Sequence, residues 1–289
     1  MRTILCASDF SEASARALDH AAALAEKTGA RLVLLHVHEP SVLGVSPELG
    51  ASYLELDQQI FRSSEERMAA RVASLRSRLP TVEGSVVRGF APRWIVAHAD
   101  AIEADLVVMA TTGHSELVHV LLGSVADRVL RQLRRPLLLV PNDGRAVSAV
   151  PRRILVPTDF SEPARAAIRE AIAWSGELGS EVEVLHAYDL AAYVLRSPGL
   201  ADDVRRAVAS TVDEELAKIA DGRAATARAV ESDPQRAILD ASEAGGVDLI
   251  VMGATGRSAV SAMLGGVTDK IVRASRVPVL VVRAPQDAR

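Results

Sequence analysis

Short apolar runs alternate along this chain with stretches in which apolar residues recur every three or four positions. The runs near residues 3–8, 31–37, 82–88, 105–110 and 137–140 are β-branched or Leu-rich and show little polar alternation, as strands covered on both faces do. Between them the spacing is helical. The first helix is predicted to begin at Ser11, where SEAS offers a hydroxyl cap and an early carboxylate for the positive helix end. Leu18, Ala22 and Ala25 give it an inward stripe, and Gly29 stops it. A longer second helix is expected over 48–79. Strands and helices alternating in this way predict a parallel sheet with helices on both faces.

The whole pattern is written twice. RTILCASDFSEASARALDHA, from Arg2, and RRILVPTDFSEPARAAIREA align at an offset of 150 from Ile4 onward, so Asp9, Phe10, Ser11 and Glu12 recur as Asp159, Phe160, Ser161 and Glu162. His36 recurs as His186. After small length changes ADLVVMATTG pairs with VDLIVMGATG, and the endings LLGSVADRVLRQLRRPLLLV and MLGGVTDKIVRASRVPVLVV match at an offset of 142. The second copy thus predicts helices from Ser161 to Gly179, with Pro163 tolerated in the first turn, and over 200–221. Residues 141–152 have no periodicity and read as a linker. The expectation is two tandem, doubly wound, Rossmann-like α/β domains, 1–144 and 152–284, each a five-stranded parallel sheet of order 3-2-1-4-5. The segments 39–52 and 188–200 differ most between the copies. The last strands, LLLVP and VLVVR, leave apolar edges that need cover.

Length alone, at 289 residues, admits one large domain or two ordinary ones, and the repeat decides for two. With 49% hydrophobic and 24% charged residues the composition is globular. A net charge of -4 speaks against a general polyanion binder, so nucleic acid is not an expected partner. Cys6, the sole cysteine, excludes an intrachain disulfide and reads as a buried thiol. Since no stretch nears about 18 uninterrupted apolar residues and Met1–Asp9 lead straight into a strand pattern, no membrane span is expected and the assigned compartment is cytoplasmic.

In a sheet of order 3-2-1-4-5 the winding reverses between strands one and four, and ligands bind outside their carboxyl ends. Strand one delivers Ser8 and Asp9, and in the second copy Thr158 and Asp159, placing a carboxylate where a ribose hydroxyl or a metal is held. Strand four delivers Ala110 to Gly113, matched by Gly253 to Gly256; glycine there permits a backbone cradle for phosphate. Gly123 and Ser124 then open a helix whose free N–H groups and dipole favour an anion.

With these residues in place, the chain resembles a tandem universal stress protein over nearly all of both copies. The family's ATP-binding pattern is Gly, two residues, Gly, nine residues, Gly, then Ser or Thr. The first copy reads Ala110, Gly113, Gly123 and Ser124, departing at the first position. The second reads Gly253 and Gly256, then only eight residues to Gly265, with Gly266 in place of the hydroxyl and Thr268 as a candidate substitute. The resemblance implies that Asp9 or Asp159 contacts the nucleoside end of ATP, that Val37 or Ala187 lies beside adenine, and that Gly113, Gly123, Ser124 and Val125 surround the phosphates. ATP, with ADP or AMP and with or without Mg, is the expected ligand, bound unequally and more strongly in the first copy. A regulatory protein partner is expected, with at most slow ATP hydrolysis. The resemblance also implies that the two last strands pair within one chain as a pseudo-dimer, leaving monomer or dimer open.

Two further readings compete with this one. The chain could be a degenerate interaction module using 39–52 and 188–200 to hold a protein or an apolar ligand. Alternatively His36, His38 and His114, with Glu39, could gather a zinc ion, although His36 and His186 read better as hydrogen-bonded core positions. The basic run 131–136 reads as a solvated helix end. No paired carboxylates, P-loop lysine or nucleophile motif appears.

Overall fold

The computed structural model describes residues 1–40, 50–113, 122–142, 144–190, 201–244, 246–255 and 264–284. The first half runs β1 (Thr3–Ala7), α1 (Glu12–Thr28), β2 (Arg31–His38), α2 (Gly50–Leu75), β3 (Val82–Arg88), α3 (Ala91–Ala101), β4 (Leu106–Ala110), α4 (Ser124–Gln132) and β5 (Leu137–Val140). The second runs β6 (Arg153–Pro157), α5 (Glu162–Leu178), β7 (Glu181–Tyr188), α6 (Ala201–Ala220), β8 (Thr226–Glu231), α7 (Pro234–Ala244), β9 (Leu249–Gly253), α8 (Gly266–Ala274) and β10 (Val279–Val282).

The caps read from sequence form. Ser11 Oγ accepts from Ser14 N at 3.1 Å and Ser161 Oγ from Ala164 N at 3.4 Å. Each such cap contributes about 1 kcal/mol. Gly29 and Gly179 close α1 and α5 in left-handed conformation, at φ 71° and 80°, which glycine adopts without a Cβ penalty. Strand β1 ends one residue earlier than its apolar run suggests, because Ser8 Oγ accepts from Phe10 N and turns the chain. The helix expected over 48–79 ends at Leu75, and residues 41–49, before its first described residue, lie outside the described residues.

One sheet runs through both halves in the order β3-β2-β1-β4-β5-β10-β9-β6-β7-β8, so each half has the order 3-2-1-4-5. Pairing is parallel within each half. At the seam β5 and β10 pair antiparallel, Leu139 with Val279 and Leu138 with Leu280, and the two apolar edges cover each other. Leu138 and Leu280 are 2% and 0% exposed, so truncating either to alanine costs roughly 2–5 kcal/mol. Each face of the sheet carries a core shared by the halves. Ile4, Leu34 and Leu138 pack with Leu18, Val72, Ile168 and Leu216 under α1, α2, α5 and α6. Leu5, Leu35 and Leu139 pack with Ile95, Val129, Ile238 and Ile271 under α3, α4, α7 and α8.

Polar contacts then fix the seam. Asp127 and Arg131 of α4 pair at 2.9 Å, as do Asp269 and Arg273 of α8, and across the halves Arg273 meets Asp127 at 3.0 Å and Arg131 meets Asp269 at 3.7 Å. Arg131 therefore belongs to an interface ring and not only to a solvated helix end, a correction to the sequence reading of the basic run. Arg283 donates to the carbonyls of Leu130, Arg131 and Leu133, closing the end of α4. Between the halves, Arg145 N donates to Arg276 O at 2.7 Å. Among the described residues no helix is long and apolar enough to cross a membrane.

Candidate functional site

Neighbouring strands depart on opposite sides of β1, β2 one way and β4 the other, and a crevice of about 300 Å³ opens at their carboxyl ends in the first half. Ser8, Asp9, Val37, Ala110, Gly113, Gly123, Ser124 and Val125, the first-copy candidates, all line it. Phe10, at φ 64°, and Phe160, at φ 58°, take the same left-handed turn after the aspartate in each half. Such a conformation is unfavourable for a residue with a side chain and is held here by neighbours: Phe10 N donates to Ser8 Oγ, and the Arg67 guanidinium lies 4.4 Å over the Phe10 ring.

Asp9 is aimed by the same turn. Its Oδ1 accepts from Ser11 N at 3.0 Å and Ser11 Oγ at 2.5 Å, while Oδ2 lies where a Cβ on Gly113 would stand. Glycine at 113 is thus set by the carboxylate. Ala110 is outside the positive-φ group, so its methyl departs from the family pattern without backbone strain. Across the crevice α4 begins at Ser124 after Gly123, with no side-chain cap. The first-turn N–H groups of a helix have no intrahelical partner, and Ser124, Val125 and Ala126, the first turn of α4, line the crevice. The lining therefore combines a carboxylate acceptor with an uncapped helix start.

His36 Nδ1 donates to Ser8 O and His186 Nδ1 to Thr158 O, both at 2.8 Å, which ties the second strand to the first in each half. Burial pushes the His36 pKa down, keeping the imidazole neutral. His38 Nε2 is 2.6 Å from Asp57 Oδ1, and Glu39 Oε1 accepts from Ala91 N at 2.6 Å. These histidines and Glu39 are thus engaged separately, and His114 lies outside the described residues. Among the described residues no group of three His, Cys, Asp or Glu could hold a metal, so the residues present give Mg no protein cage. Burial raises the Cys6 thiol to about 12, in keeping with a packed, unreactive side chain.

The second half differs at the corresponding places. Gly123 and Gly265 donate to Thr111 O and Ala254 O respectively, which fixes the register of α4 against α8 and makes Ser124 correspond to Gly266, and Ala126 to Thr268. Thr268 is buried and donates to Gly253 O at 2.8 Å. It is not a free hydroxyl for a phosphate, which corrects its reading as a substitute for the missing serine. A Cβ on Gly253 would lie 2.7 Å from the Pro163 backbone, so this glycine answers to the close approach of α5. Thr158, Gly253 and Ala254 are buried where Ser8, Ala110 and Thr111 are half-buried. Leu190 is fully buried, at the repeat position of exposed Pro40. Asp159 Oδ1 still accepts from Ser161 N at 3.0 Å. Ala187 is the penultimate residue of β7 as Val37 is of β2, Gly265 caps α8, and Gly256 lies outside the described residues.

Sequence reasoning passed over Ser14, whose hydroxyl is 3.1 Å from Ser8 Oγ at the crevice floor, as well as Ala91, Ile95 and Ala126. The repeat held a signal for two of these, since Ser14 and Ala126 face Ala164 and Thr268 in the second copy.

Fold and crevice together define a duplicated, doubly wound α/β protein with a cleft at its topological switch point. The model of the universal stress protein family matches residues 1–141 and again 151–283, and the chain belongs to that family. It is 28% identical over 291 residues to universal stress protein Rv2623 of Mycobacterium tuberculosis strain H37Rv, an alignment covering 97% of this chain and 96% of that protein. It is 30% identical over 188 residues to universal stress protein Mb2028c of Mycobacterium bovis, spanning 63% of this chain and 62% of that relative's length. The crystal structure of a universal stress protein from Archaeoglobus fulgidus DSM 4304 has the same fold, with a TM-score of 0.69 at 21% identity and 98% of both chains covered.

Proposed function

We propose that this chain is a stress-response regulatory protein that binds an adenine nucleotide, ATP or its relatives ADP and AMP, in the first-half crevice. One observation carries the reading: Asp9 and the uncapped start of α4 line one open crevice of about 300 Å³. Asp9 supplies the acceptor for a ribose hydroxyl, Val37 an apolar edge beside the base, and the N–H groups of Ser124 to Ala126 with the Ser124 hydroxyl a cradle for phosphate oxygens. In the second half, Asp159 keeps its place, but burial of Thr158, Gly253 and Ala254 and the loss of a hydroxyl at Gly266 leave a weaker site or none. Occupancy of the first crevice changes the surface offered to a regulatory partner. The setting proposed is cytoplasmic, which a lone buried thiol suits.

Thermal denaturation of nucleotide-free protein tests the proposal. Ligand at about a hundred times its dissociation constant adds roughly 2.7 kcal/mol of stability, a shift of several degrees. Absence of a shift with ATP, ADP and AMP alike would overturn it.

A further inference from the structure

Helix α3 turns one face to the first crevice through Ala91 and Ile95, and the residue before each, Phe90 and Trp94, is left in solvent. Phe90 is 47% exposed and Trp94 41%, unusual for adjacent large aromatic groups one helical turn apart. The second half shows what the fold requires at these places. At the repeat position of Phe90 stands Asp233, which caps α7 by accepting from Arg236 N at 3.1 Å, and at that of Trp94 stands Ala237, 5% exposed. The first half has thus given up a helix cap and a small buried residue for two exposed rings. Glu39 takes over the cap by accepting from Ala91 N, and Gly89, at φ 141°, lets the Trp94 indole lie against the backbone, which holds the ring in place. Packing does not explain the exchange.

Around the rings stand two guanidinium groups and the Glu39 carboxylate, the latter held by Ala91 N. Arg128 lies 5.1 Å over the Phe90 ring, and Arg93 is exposed beside Trp94. In the second half Arg236, at the repeat position of Arg93, pairs with Asp240 at 3.5 Å, whereas the first half has Ala97 where that aspartate stands. Among the described residues no carboxylate pairs with Arg93 or Arg128. Aromatic rings flanked by arginines match the composition of protein-binding hot spots.

We propose that Phe90, Trp94, Arg93 and Arg128 form a docking surface for an acidic protein segment bearing an apolar anchor, the rings taking the anchor and the guanidinium groups the carboxylates. The two arginines favour carboxylates, and two rings one helical turn apart suit a short peptide with an apolar anchor, not the extended phosphate run of a nucleic acid or a membrane surface.

The test uses the full chain and three fluorescently labelled peptides: Glu-rich around a central Leu-Phe, the same with Lys for every Glu, and the same Glu-rich peptide with Gly-Gly for Leu-Phe. Anisotropy is expected to show binding of the first alone, weakened by salt. The double variant Phe90→Asp, Trp94→Ala carries the residues the second half uses, so it should melt as the parent does while losing at least about tenfold in affinity. Trp94 is also the exposed tryptophan, since Trp174 is 3% exposed, and its fluorescence should be quenched more by iodide than by caesium. Equal quenching by the two ions, no binding of the first peptide, equal binding of the lysine or glycine peptide, or an unaffected double variant overturns the proposal. So does tighter binding of a single-stranded oligonucleotide or of phosphatidylserine vesicles.

Discussion

The two halves are built on one plan and differ at the positions that form the crevice in the first. In the first, Gly113 leaves room for the Asp9 carboxylate, and Ala126 and the uncapped start of α4 line the open crevice. In the second, Gly253 leaves room for the Pro163 backbone, and Thr268 turns its hydroxyl inward to a strand carbonyl. A shared residue pattern can thus serve ligand space in one half and helix packing in the other. A glycine at a strand end carries information only together with what approaches it.

Substitution at paired positions should break this comparison in opposite ways. Gly113→Ala puts a methyl onto Asp9 Oδ2 and is expected to lower nucleotide affinity by roughly a hundredfold with little change in melting, since carboxylate and cradle are both displaced. Gly253→Ala instead collides with the Pro163 backbone and should cost about 1–3 kcal/mol of stability while leaving affinity alone. Calorimetric titration and thermal melts on the two variants separate the effects.

Asp9→Ala removes the acceptor at the nucleoside end and should weaken binding about tenfold or more, whereas Asp159→Ala should change it less than twofold. Ala126→Thr, which installs the second half's residue in the first, narrows the crevice and is expected to cost several-fold in affinity by titration. Asp127→Ala opens the ring at the seam; because its partners are partly exposed, the loss in chemical denaturation should be about 1 kcal/mol or less and should shrink in high salt.

The smallest effect concerns pH. Burial lowers the pKa of folded His36, so its contribution to stability is present above the ordinary histidine range and is lost as pH falls through the folded value. Melting temperature should therefore decline between about pH 6.5 and pH 5, above the range where carboxylates titrate. His20 and His98 are shifted the same way, so His36→Asn, which keeps a donor near Ser8 O, should flatten the decline in part.

Much of the scaffold was legible because a repeat doubles every signal. The strands are short, buried on both faces and bounded by caps such as Ser11 and Gly29, and the apolar edges of Leu137–Val140 and Val279–Val282 required partners they found in each other. The first-copy candidates also converge on one crevice, because topology fixes where strand ends gather. Contacts between elements distant in sequence were not legible. Nothing local marks Thr268 as bonded to Gly253, Leu190 as buried, or Arg131 as reaching Asp269 across the seam. The exposure of Phe90 and Trp94 was equally hidden, since it depends on what packs against α3 and not on local spacing.

Titration calorimetry of the nucleotide-free chain with ATP tests the central claim most directly. One nucleotide bound per chain, with that site lost in Gly113→Ala and kept in Gly253→Ala, is the predicted result. Two equivalent sites per chain, or a tight site that survives Gly113→Ala, would contradict the assignment of the nucleotide to the first crevice alone.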